Sequence, residues 1–101
     1  MTVNWTPSAI EDRKRLLEAA LGRALEQEDP FIYRAALDAD ARIVQEASAL
    51  DGVATWREGP MPGTRLYVCR HTQLLLVYTR EGDDVQIIWV APAASNWNRS
   101  H

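Results

Sequence analysis

The chain has 101 residues, 47% of them apolar, and carries eleven Lys/Arg against fourteen Asp/Glu for a formal net charge of −3. That length suits one compact domain over residues 1–101, and the acidic balance lacks the basic excess with which proteins neutralise phosphates, so direct nucleic-acid binding is not expected. No apolar run approaches the roughly eighteen residues of a membrane span or the core of a leader peptide, so a cytoplasmic protein without membrane contact is expected.

Val3 to Trp5 is a short β-prone segment. Thr6-Pro7 ends it, with Thr suited to cap a helix and Pro to its first turn; Ser8 and Glu11 offer a competing capping box. Ile10, Leu17, Leu21 and Ala24, widened by Leu16, Ala20 and Leu25, then predict an amphipathic helix over about 7–28. Gly22 inside it weakens the helix by roughly 1 kcal/mol relative to Ala, and close packing against a neighbour is its simplest use. Asp29-Pro30 repeats the cap-plus-proline start. Ile32, Ala36, Ala39, Ile43, Ala47 and Leu50 form the stripe of a second helix, over about 30–50, ending near Gly52. The short break between the two predicts an antiparallel helical hairpin.

Gly59-Pro60-Met61-Pro62-Gly63 forbids regular structure. Val53 to Arg57 before it reads either as a further short strand or as an extended entry to the loop. Thr64–Cys69, Leu74–Arg80 and Val85–Ala91 read as strands, the last two joined by a hairpin turn at Glu81-Gly82-Asp83-Asp84. Asn96 to His101 reads as a tail. The expected fold class is α+β: an N-terminal strand, an antiparallel helical hairpin, then a three-stranded, mainly antiparallel sheet. One Cys69 and two histidines, His71 and His101, leave no internal disulfide and no zinc-ligand spacing, and no metal or other cofactor is expected.

Trp5, Thr6, Pro7, Ala9 and Asp12 follow a W-T-P-x-A-x-x-D pattern. Farther on, Gly63-Thr64-Arg65 leads into a strand, and Leu76-Val77-Tyr78 leads to Glu81-Gly82-Asp83 and a hydrophobic last strand. In this order and spacing the chain resembles the RelE/ParE superfamily, the plasmid-stabilisation toxins of bacterial toxin–antitoxin modules, over Val3 to Val90, and its opening is similar to the ParE branch. The resemblance implies a toxin neutralised by a cognate antitoxin, whose C-terminal segment wraps the toxin. It also implies one of two activities, inhibition of DNA gyrase or ribosome-dependent cleavage of mRNA.

RNA cleavage needs a proton acceptor, a proton donor and cations for the charge that builds on phosphate. RelE-type toxins meet that need with lysines, arginines and a tyrosine. Here the strand Arg65-Leu66-Tyr67-Val68-Cys69-Arg70 has no lysine, and Leu75 stands where RelE carries an arginine. Pro92 and Ser95 replace the histidine and arginine of the family's H-x-x-R-x-W ending, of which Trp97 remains. The residues left are a scatter of Arg65, Arg70, Arg80 and Arg99 with Tyr67, Tyr78 and His71.

Residues 1–50 hold nine acidic against six basic side chains and residues 51–101 five of each, so any basic patch is local to the second half. Among the four tryptophans, Trp89 is expected in the core and Trp97 as the tail's anchor. Trp56, beside Arg57 and the Pro/Gly loop, is expected as an exposed contact. The residues nominated for binding are Trp56, Arg65, Tyr67, Arg70, Arg80 and Trp97, with no catalytic residue assigned. The leading expectation is a gyrase-binding, non-enzymatic toxin. Its alternatives are a RelE-like mRNA endonuclease using Arg65, Arg70 and Tyr67, and a degenerate, non-toxic homologue that binds the antitoxin. Sheet edges allow a homodimer without demanding one.

Overall fold

The computed structural model describes residues 2–52, 56–70 and 72–93; His71, Trp97, Arg99 and His101 lie outside them. The chain runs β1 (Thr2–Trp5), α1 (Pro7–Glu26), α2 (Pro30–Ala47), a 3-10 turn (Leu50–Gly52), β2 (Arg57–Glu58), β3 (Arg65–Val68), β4 (Leu74–Glu81) and β5 (Asp84–Pro92). Among the described residues no helix is long and apolar enough to cross a membrane.

Both helices start where their caps are written. Thr6 is extended and its hydroxyl accepts from the Ala9 N–H at 3.2 Å, so it is Thr6 and not Ser8 that caps α1. The Asp29 carboxylate accepts from the Phe31 N–H at 3.0 Å and starts α2. Between them the chain turns at Glu28, whose φ of 52° lies in the left-handed region. The Asp29 N–H donates to Ala24 O and the Glu28 N–H to Leu25 O, the two bonds of a Schellman ending. This closure stops α1 two residues short of the expected end at 28.

The sheet corrects the expectation of three strands. Among the described residues it has five, in the order β1-β5-β4-β3-β2, and is mixed. β1 joins parallel to β5, with Thr2 opposite Asp84 and Trp5 opposite Ile87, while β2, β3, β4 and β5 pair antiparallel. A lone β1 would leave its backbone donors and acceptors unpaired, and the helical hairpin returns the chain to the sheet so that β5 supplies them. Gly82, at φ 59°, is the first residue of the two-residue β4–β5 turn, where the hairpin turns that match strand twist require a positive φ.

A bulge in β5 sets which side chains face the helices. Val77 pairs with Trp89 and Tyr78 with Ile87, so Ile88 is extra. Val85 and Ile87 are buried beneath the helices, but beyond the bulge the phase flips: Val90 is buried and Trp89, expected in the core, is 37% exposed. The start of α1 sits on this bulge. The Thr6 N–H donates to Ile87 O at 3.0 Å, the Thr6 hydroxyl to Ile88 O at 3.5 Å, and the Val90 N–H to the Asp12 carboxylate at 3.1 Å. The Thr and Asp of the N-terminal pattern are therefore the clamp between α1 and the last strand.

The core joins Ala9, Ile43, Ala47, Leu50, Cys69, Leu76, Tyr78, Val85, Ile87 and Val90. α1 buries small residues, Ala9, Ala20 and Ala24, and leaves Ile10, Leu21 and Leu25 exposed, contrary to their expected place on the buried stripe. Its buried line is rotated toward the alanines, which let the backbone approach its neighbours. Gly22 is likewise not a packing position: a Cβ built on it meets nothing within 4 Å. Along α2 burial deepens from half-buried Ile32 and Ala36 to buried Ile43 and Ala47, leaving the hairpin tip, with Leu25 and Phe31, the least covered.

Candidate functional site

Strand alternation places Arg65, Tyr67 and Cys69 on one side of β3, and Leu74, Leu76, Tyr78 and Arg80 on the same side of β4. That is the side the helices cover, since Tyr67, Cys69, Leu74, Leu76 and Tyr78 all belong to the core or pack against it. Arg65 lies opposite Tyr78, and Arg80 follows on the same face. Together with Trp56, Glu58 and the loop from Gly59 to Thr64, the two arginines line a cleft of about 650 Å³. Register thus turns part of what reads in sequence as a scatter of cations into one basic hollow.

Trp56 is 48% exposed and carries the Arg65 guanidinium 4.2 Å above its ring centroid. Tyr78 lies fully buried beneath. Burial raises its phenol pKa, opposed by the charge of Arg65, a hydrogen bond with Arg65 and the charge of Arg80. The Arg80 Nε–H donates to Gly82 O at 2.8 Å, which fixes its stem along the hairpin. The loop wall is held by buried Thr64, whose hydroxyl donates to Met61 O at 2.6 Å and accepts from the Met61 N–H at 3.2 Å, while its carbonyl accepts from the Gly59 N–H at 2.9 Å. Gly59 has no room for a side chain, because a Cβ would collide with the Thr64 side chain.

Tyr67 and Arg70 are elsewhere. The Tyr67 hydroxyl donates to Glu46 Oε1 at 2.7 Å, and the backbone N–H of Arg70 donates to the same oxygen at 2.9 Å. Burial first, then the hydrogen bond to Glu46 and its charge, push the Tyr67 phenol up to about 12. Burial and the Glu46 charge push buried Cys69 up to about 11. The Tyr67 and Arg70 bonds to Glu46 staple α2 to the end of β3. The residues nominated for the endonuclease reading therefore do not converge: Arg65 is in the cleft, and Tyr67 is tied to Glu46. Arg70 is exposed and reaches that carboxylate through its backbone. Leu75 and Val77 are buried on the opposite side of β4, and Trp97 lies outside the described residues.

Glu46 and Tyr78 are the residues that the nominations missed. Glu46 had a signal in its spacing, three residues after Ile43 and four before Leu50, which puts a carboxylate on the buried stripe. Tyr78 had none beyond its type, because only the pairing of β3 with β4 brings it under Arg65.

No protein-family model matches the chain, and no curated protein matches it in sequence. In structure it is similar to a chain of the chromosomal ParDE TA system from P. aeruginosa, with a TM-score of 0.70 and 21% sequence identity over 91% of this chain and 95% of that one. At that identity the likeness shows a shared fold over nearly the whole of both chains.

Proposed function

We propose that this chain is the toxin of a type II toxin–antitoxin module, a ParE-like cytoplasmic protein of one domain that binds and arrests DNA gyrase and is neutralised by a cognate antitoxin. The observation that carries the reading is the fold held in common with a chain of the ParDE TA system over nearly the whole of both chains. The site chemistry supports binding over bond cleavage. Tyr67 and Cys69 are held protonated by burial and by Glu46, and the strand from Arg65 to Val68 holds no lysine. Exposed Leu25 and Phe31 at the hairpin tip offer apolar surface to a protein partner.

Incubating the purified chain with gyrase and supercoiled plasmid tests the proposal. Loss of supercoiling activity with trapped double-strand breaks is the expected outcome, and gyrase that works unimpeded removes the target. An mRNA endonuclease is the second reading, favoured by the grouping of Arg65, Tyr78 and Arg80. Ribosome-bound mRNA that stays intact in the presence of the chain disposes of it.

A further inference from the structure

We infer that the cleft between Trp56, Arg65 and Arg80 takes a short extended peptide that presents one carboxylate beside an apolar side chain. The inference rests on the reading of the chain as a protein-binding toxin, and it names the chemistry this site accepts.

Charge complementarity carries the first half. In a chain of net charge −3, two arginines line one hollow. The flat face of the Arg65 guanidinium is spent on Trp56 at 4.2 Å and one in-plane N–H on Tyr78, which leaves the other in-plane N–H groups as its donors. A guanidinium held flat presents its fork to a carboxylate with little rotamer freedom left to lose. The second half is apolar: exposed Trp56 and Met61 stand beside the arginines with Pro60 and Pro62. The Thr64 hydrogen bonds hold that wall in place before anything binds, so the ligand does not have to order it.

A nucleic acid fits less well. Its affinity grows with the number of phosphates neutralised; among the described residues this hollow offers two guanidiniums, and Glu58 lines it as well. One ring face of Trp56 is already covered, so a base cannot be sandwiched there. A single carboxylate flanked by neutral residues meets neither obstacle.

The test uses the full, isotope-labelled chain and two blocked hexapeptides, one containing Leu-Glu-Leu and the other Leu-Gln-Leu. Binding is followed through the Trp56 indole N–H and the arginine Nε–H signals. The glutamate peptide is expected to bind at least about tenfold more tightly than its glutamine isostere, as a charge-assisted bond predicts. That preference should vanish in Arg65→Gln and in Arg80→Gln, survive in part in Arg65→Lys, and be untouched in Arg57→Gln. Equal binding of the two peptides, or a preference that persists in Arg80→Gln, overturns the inference; so does an oligouridylate that shifts the same signals at lower concentration than the peptide. Gyrase left unimpeded removes the proposed target and leaves the peptide comparison standing, whereas equal peptides remove the cleft chemistry and leave gyrase arrest standing.

Discussion

On α2, Glu46 shares its stripe with Ile43 and Leu50, so its carboxylate enters the structure at the margin of the core, where two donors meet one of its oxygens. Truncation to Ala leaves the Tyr67 hydroxyl and the Arg70 N–H without that acceptor, a cost of about 1–3 kcal/mol that urea unfolding measures. Glu46→Gln keeps an acceptor of the same size and removes only the charge. Its phenolate titration, followed by ultraviolet absorbance, should move Tyr67 part of the way from about 12 toward its ordinary 10.0, and only part, because burial is the larger cause. Between those two values the native chain keeps a proton that the unfolded chain has lost. Tyr67 therefore contributes its stability fully below the unfolded pKa, and that contribution is lost as pH rises through the folded one. The variant should lose stability over a narrower alkaline window, and an unchanged titration contradicts the assignment of Glu46 as a cause.

At the scale of elements, the helical hairpin carries its glycine in one place and needs it in another. Gly22 sits in open, helical backbone where a Cβ meets nothing, and Glu28 occupies the left-handed position of the α1 ending that glycine adopts without strain. Gly22→Ala should raise stability by about 1 kcal/mol through helix propensity and the unfolded chain, and Glu28→Gly by about 0.5–1 kcal/mol through relief of backbone strain. Chemical denaturation of the two single variants and the pair checks both signs, and a loss of stability in either contradicts its placement. The same elements mark what could be read from sequence. Thr6-Pro7, Asp29-Pro30 and the Gly82 turn are local chemistry, and each punctuates the chain where its residues predict. Trp89 is different, because a period-two reading from Val85 and Ile87 puts it inside, and only the extra residue at Ile88 turns it out. Asp12 likewise finds its partner on β5, 78 residues away, and no local pattern announces that. Of the cleft, the residue types were legible in Trp56, Arg65 and Arg80; their meeting was not, since it comes from the pairing of β3 with β4 and from the loop that Thr64 folds back.

Over the whole molecule, the first three elements of the chain are joined through one guanidinium. Arg13 on α1 forms a two-point pair with Asp40 on α2, Nε to Oδ1 and Nη2 to Oδ2, both at 2.8 Å. Its Cζ stands 4.6 Å from the centroid of the Trp5 ring on β1. The hydrogen bond to Asp40 raises the Arg13 pKa against the opposing effect of burial, so the charge stays in place. Because β1 also pairs with β5 across nearly the full length of the chain, the first strand cannot leave without disturbing both helices and the last strand. A double-mutant cycle of Arg13→Met and Asp40→Asn should give a coupling of about 1–2 kcal/mol, above the range of exposed pairs because the geometry is bidentate and the side chains are only 25% and 20% exposed. Added salt should weaken that coupling without abolishing it, since the pair is partly withdrawn from solvent. Unfolding of a variant that keeps Trp5 as its one tryptophan, followed by fluorescence and by far-ultraviolet circular dichroism, should coincide in one transition. A fluorescence change that precedes the loss of helix would mean that β1 detaches on its own, and that Arg13 does not bind the layers into one cooperative unit.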